Sequence, residues 1–169
     1  MPPKTLNTSA VRQVVRDHGG WSECVEHRAY AEYLLGQLTP GLDASVGFTP
    51  RIRVVATAEP AALAVTPGDV LVSEGLLDWA TADEARAAIA HELGHLVEAE
   101  CGVVSSLLGK AGMGCPEARA DRFGVGLLEI AGHDPAAMGT LLKRLADHPA
   151  IGEEVRHHLA HRHGLTHLH

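Results

Sequence analysis

The segment His91-Glu92-Leu93-Gly94-His95 carries the residues of this chain whose types and spacing could do chemistry. On a helix, positions i and i+4 differ by only about 40° around the axis. Both imidazoles then project from one face, one turn apart, as two ligands of one tetrahedral zinc ion must. Glu92 sits about 100° further round. It is badly placed to ligate the same ion, but it can reach a water in an open fourth position. It could take that water's proton and later deliver it to a leaving amine. In a chain with twelve histidines the pentapeptide alone is a modest signal; its helical setting gives it weight.

Zinc needs a third protein ligand, and the candidate is Glu117. It opens Glu117-Ala118-Arg119-Ala120-Asp121 at the start of a second helix. Glu117 and Asp121 share a face by the i,i+4 rule, and that face borders an apolar stripe beginning at Ala120. Two acids on the inward side of a helix are costly unless paired or metal-bound. Asp121 would accept the free ring N–H of a ligand histidine and fix its tautomer. The alternative is that both are first-turn acids favoured by the helix dipole.

The elements that must position these residues can be read from periodicity and punctuation. Helices are predicted over 8–18 and 22–38, the second with Ser22 as N-cap and a stripe of Tyr30, Tyr33, Leu34 and Leu38. Pro40, Gly41, Gly47 and Pro50 mark a connection. The stretch 51–57 alternates and is β-branched, as a strand should be, and 61–65 and 70–73 are shorter strand candidates around a Pro67-Gly68 turn. Thr81 and Glu84 form a capping box for a helix running to about Glu100. Pro116 suits the first turn of the next helix, 117–131, which carries Phe123, Gly124, Leu127, Leu128 and Ala131 on its stripe and stops at Gly132. Asp134-Pro135 opens a helix to about Asp147, and a last one covers about 150–163. Helices, a small sheet, then helices make an α+β domain. The length of 169 residues fits a single domain, 1–169, with N-terminal helices over 1–50.

Composition narrows the partners. The net charge of −7 argues against nucleic acid or an anionic membrane surface. The first residues contain no apolar segment of secretory type, and no apolar run approaches a membrane span. A cytoplasmic location is expected. Cys24, Cys101 and Cys115 make an odd, unpatterned set that fits reduced thiols; a regulatory disulfide between Cys101 and Cys115 is the alternative. Aromatics are only 4%, so Ala, Leu and Val must build the core.

These segments resemble the soluble peptidase domain of M48-type gluzincins, over about 50–158. Residues 61–77 are similar to the family's strand–turn–strand stretch ending Gly-Leu-Leu. Residues 83–97 resemble its zinc helix. Glu117 to Asp121, Ala131 to Pro135 and His148-Pro149 resemble its third-ligand helix and the segments after that helix. The resemblance implies a zincin-like fold, with a short mixed or antiparallel sheet on an active-site helix and a C-terminal helical part. It implies a zinc endopeptidase acting on a protein or peptide substrate. Ala62 and Ala64 would lie on an edge strand that pairs with the extended substrate backbone. His148 would help hold the tetrahedral oxyanion; an N-cap-like surface histidine is the alternative for it. Two departures stand out: Ala61 replaces the family's usual Asn, and no membrane helix separates the two zinc segments. Prenylated or membrane-embedded substrates are therefore not implied. Alternative functions are an ImmA/IrrE-like regulatory metalloprotease and a latent, non-catalytic zinc-bearing interaction domain. Six histidines fall in the tail, 157–169. They fit a solvated end, a weak second metal site, or a plug on the open zinc position.

Overall fold

A computed structural model describes residues 8–42, 46–65, 67–100 and 116–151. Helices α1 (Thr8–Asp17) and α2 (Val25–Leu38) come first. Strands β1 (Arg51–Val55), β2 (Ala62–Val65) and β3 (Asp69–Ser73) follow, with α3 (Glu74–Trp79) directly after β3. Then come α4 (Ala82–Glu100), α5 (Pro116–Ile130) and α6 (Ala137–Ala146). The architecture is α+β, as expected. Cys101, Cys115, the 150–163 helix beyond residue 151 and the histidine-rich tail lie outside the described residues.

The sheet is mixed, in the order β1-β3-β2. β3 is central: parallel to β1, with Ile52 opposite Val70, and antiparallel to β2, with Ala62 opposite Val72. Its burial explains the continuous apolar reading of Val70-Leu71-Val72. β2 is left on an outer edge.

Helix α4 is the axis of the domain. Its start is the expected capping box: Glu84 N–H donates to Thr81 Oγ1 at 3.2 Å, and Thr81 N–H to Glu84 Oε2 at 2.9 Å. Ile89, Leu93 and Leu96 are fully buried between the sheet, α2, α5 and α6. The core they join is mostly Leu, Val and Ala, as the aromatic-poor composition requires.

Two local expectations are corrected. Ser22 is not the N-cap of α2, because the helix begins at Val25 after Cys24. Its hydroxyl instead donates to Glu74 and accepts from Cys24 N–H at 3.1 Å. The buried stripe of α2 is Ala31, Leu34, Leu35 and Leu38, while Tyr33 is 59% exposed. Small Ala31 lets the helix come close to the core, which turns the neighbouring Tyr33 outward. Helix α3 is an element that the periodicity does not announce; its signal is Ser73, whose Oγ accepts from Leu76 N–H at 2.9 Å.

Candidate metal centre and cleft

The site begins with two glycines. A Cβ on Gly94 would lie 3.0 Å from Ala120 Cα and 3.1 Å from Ala120 O. A Cβ on Gly124 would meet Met138 Cε at 2.5 Å and His91 N at 3.1 Å. Each helix is therefore bare where the other touches it, and α4 and α5 pack backbone against backbone. Glu117 and Asp121 are carried up against the histidine face of α4. Arg119 strengthens the crossing by donating from Nε to Glu98 Oε1 at 2.9 Å. No spacing rule marks that ion pair in the sequence.

At the crossing, His91 Nε2 and His95 Nε2 lie 3.1 Å apart. Glu117 Oε2 is 3.2 Å from His91 Nε2, and Glu117 Oε1 is 3.1 Å from His95 Nε2. The three residues so form a triangle in which Glu117 turns a different carboxylate oxygen to each histidine, and among the described residues they are the group that could hold a metal ion. Tetrahedral ligands about 2.0–2.1 Å from zinc are separated by about 3.3–3.4 Å. The donor set of two imidazoles and a carboxylate fits zinc in kind, and its contacts of 3.1–3.2 Å are close to that separation.

The surrounding groups hold the triangle. His91 Nδ1 donates to Asp121 Oδ1 at 2.7 Å, and Asp121 is only 1% exposed. That bond puts the Nδ1 proton on the carboxylate side and presents Nε2 to the triangle. Without a metal, burial pushes the His91 imidazole down, but the hydrogen bonds to Asp121 and Glu117 and the nearby carboxylates outweigh it. The result is a pKa raised from 6.5 to about 9. The same two histidines hold the Glu117 carboxyl far below the ordinary range.

Glu92 is not part of the triangle. It is buried, with Oε1 3.9 Å from His91 Nε2. Burial raises its carboxyl pKa; the charges of His91 and His95 and the N–H of Ala64 pull the other way without cancelling the rise. Ala62 and Glu92 both line a cavity beside the triangle. Its other walls come largely from the leucines of α6.

His148 is not brought to this cluster. Its ring meets Trp79 edge-on with centroids 5.3 Å apart, and its Nδ1 accepts from Ala150 N–H at 3.1 Å. Arg144 of α6 lies over the same Trp79 ring, 4.3 Å from its centroid, and pairs with Glu84 at the start of α4. The geometry around His148 is that of a local backbone cap.

No helix among the described residues is long and apolar enough to cross a membrane. No curated protein matches the chain. Residues 42–111, which hold all three strands, α3 and the whole of α4, match the family model for peptidase family M48, and this match supports reading the chain as an M48-type metallopeptidase.

Proposed function

We propose that this protein is a zinc-dependent endopeptidase in which His91, His95 and Glu117 hold the metal and Glu92 is the general base. The observation that carries the reading is the meeting of the two Nε2 atoms and the Glu117 carboxylate at contacts of 3.1–3.2 Å, flanked by a buried carboxylate outside the group. Glu117 lies beyond the stretch matched to the family, so its assignment rests on this geometry and on its place in the sequence pattern.

The metal, when bound, supplies the acidity that lets water act as a nucleophile near neutral pH and polarises the scissile carbonyl. The residues do the rest. Asp121 orients His91. Glu92, with its basicity raised by burial, takes a proton from the attacking water and passes it to the leaving nitrogen. The hydroxyl ends on the carbonyl carbon, the C–N bond breaks, and Glu92 returns to its starting state. The substrate backbone lies extended along β2, whose outer edge has no partner strand among the described residues.

Glu92→Gln is expected to retain zinc and fold but lower kcat by about 10²–10⁴-fold. His95→Ala is expected to lose zinc as well. Casein cleavage measured alongside bound metal tests both. A Glu92→Gln protein with near-normal turnover would remove Glu92 as the base, and full zinc content in His95→Ala would remove the ligand assignment.

A further inference from the structure

Glu117 occupies a weak part of its helix. It is the second residue of α5, and terminal turns fray. A metal ligand there needs its turn fixed from outside. The two helices run antiparallel where they touch: Gly124 faces His91, and Ala120 faces Gly94. The first turn of α5 therefore lies against the last turn of α4. Asp121, bonded to His91 at 2.7 Å, secures the inner side of Glu117. On the outer side Arg119 reaches Glu98, which lies one turn beyond His95 on the same stripe of α4. Arg119 Nε and Nη2 both donate to Glu98 Oε1, the first at 2.9 Å. The two side chains are only 23% and 22% exposed.

The signs of the charges are a second observation. A helix dipole disfavours a cation in the first turn and an anion in the last. Arg119 is in the first turn of α5 and Glu98 in the last turn of α4. Neither helix gains from its own charge, so the benefit of the pair lies in the crossing between them. Neither residue is one of the proposed ligands either, so the pair need not break when the ion arrives.

We propose that Arg119 is a positioning residue: by clasping Glu98 it sets the first turn of α5, so that Glu117 meets His91 and His95 before any metal arrives. The role deepens the metallopeptidase reading and rests on its ligand assignment.

The test is zinc affinity, measured on the full chain by chelator competition, for Arg119→Gln, Glu98→Gln and the exchanged pair Arg119→Glu with Glu98→Arg. The direction of each shift separates positioning from charge. If the two residues act only through their fields, Arg119→Gln removes a positive charge near the ion and tightens binding, while Glu98→Gln loosens it. Positioning predicts that both loosen it, by about tenfold, within the range for losing an outer support of a metal ligand. The exchanged pair should return to within about threefold of wild type, because it restores the attraction and suits both helix dipoles. Amide exchange of the metal-free chain supplies a readout that needs no zinc. In the helical pattern the N–H groups of Ala120 and Asp121 bond back one turn to Pro116 and Glu117. They should exchange about tenfold faster in Arg119→Gln, with Leu127 and Leu128 unchanged. Unchanged or opposite affinities in the two single variants, an exchanged pair no better than either, or uniform acceleration along α5 would overturn the role and leave the ligand assignment intact. A wild type that binds no zinc would overturn both.

Discussion

Asp121 touches no substrate, yet its removal should be felt at the metal. Its carboxylate holds His91 Nδ1 at 2.7 Å in a fully buried setting. Asp121→Asn keeps the shape but removes the charge and lets the ring choose its tautomer. Zinc affinity is expected to fall about 10–100-fold, the usual effect of losing such a partner; competition with a chromophoric chelator measures it, and unchanged affinity would mean the triangle orients itself. His148 makes the opposite case. Its Nδ1 caps Ala150 N–H and its ring sits on Trp79, so His148→Phe loses one hydrogen bond and keeps a ring. We expect a stability loss of about 0.5–1.5 kcal/mol in denaturant melts and an unaltered kcat. A tenfold fall in kcat in a stably folded variant would return His148 to the oxyanion role that the family resemblance implies. The contrast also shows what single residues disclose in a sequence. The i,i+4 spacing of His91 and His95 is a geometric statement about one helix face, and it carries into three dimensions unchanged. His148 comes after the last turn of α6, where no period says which way the chain turns.

At the scale of elements, the glycines at the α4–α5 crossing decide whether Glu117 can reach the histidines at all. Gly94→Ala would press a methyl group against Ala120, and Gly124→Ala would press one against both Met138 and the His91 backbone. Met138 is a flexible chain end that can yield; the backbone atoms cannot. Each substitution is expected to cost about 1–3 kcal/mol by overpacking and to weaken zinc binding as the helices part. Thermal melts of metal-free protein and chelator competition report the two effects separately, and a Gly94→Ala protein with wild-type zinc affinity would show that the crossing is not what sets the site. The elements themselves are legible where a local rule governs them. Thr81 and Glu84 announce α4, and alternation or β-branching announces the strands. Sheet order is not legible, because the parallel pairing of β1 with β3 across β2 depends on long-range packing. The roll of α2 escapes the sequence for a related reason: Tyr33 fits the helical period, but Ala31 allows the closer contact. The inward face of α5 is legible because Asp121 and Glu117 adjoin an apolar stripe. The α6 leucines that shape the cleft give no sign of function, since they look like any buried stripe.

For the whole molecule, the triangle ties stability, metal binding and pH together with a definite sign. In the metal-free protein the His91 pKa is raised to about 9 from 6.5. A raised histidine contributes stability fully below about 6.5 and loses it as pH climbs through about 9. Glu117 is depressed, so its contribution is present above its ordinary 4.5 and is lost as pH falls below it. Buried Glu92 works against Glu117, because its raised carboxyl makes the ionised form the less favourable one in the fold. Metal-free protein is therefore expected to be most stable, as far as these groups decide it, between about pH 5 and 7. It should lose on the order of 3 kcal/mol between pH 7 and 10 as His91 gives up its proton. Zinc binding must expel that same proton, so affinity should rise across the interval in which the metal-free fold weakens. Calorimetric titration with zinc at pH 7.5, repeated in buffers of different ionisation enthalpy, should therefore report release of about one proton per ion bound. Asp121→Asn, which removes a main support of the raised His91 pKa, should release less. Proton release near zero in the wild type would mean that His91 is already neutral in the metal-free site, and that the carboxylates of Asp121 and Glu117 do not hold it charged.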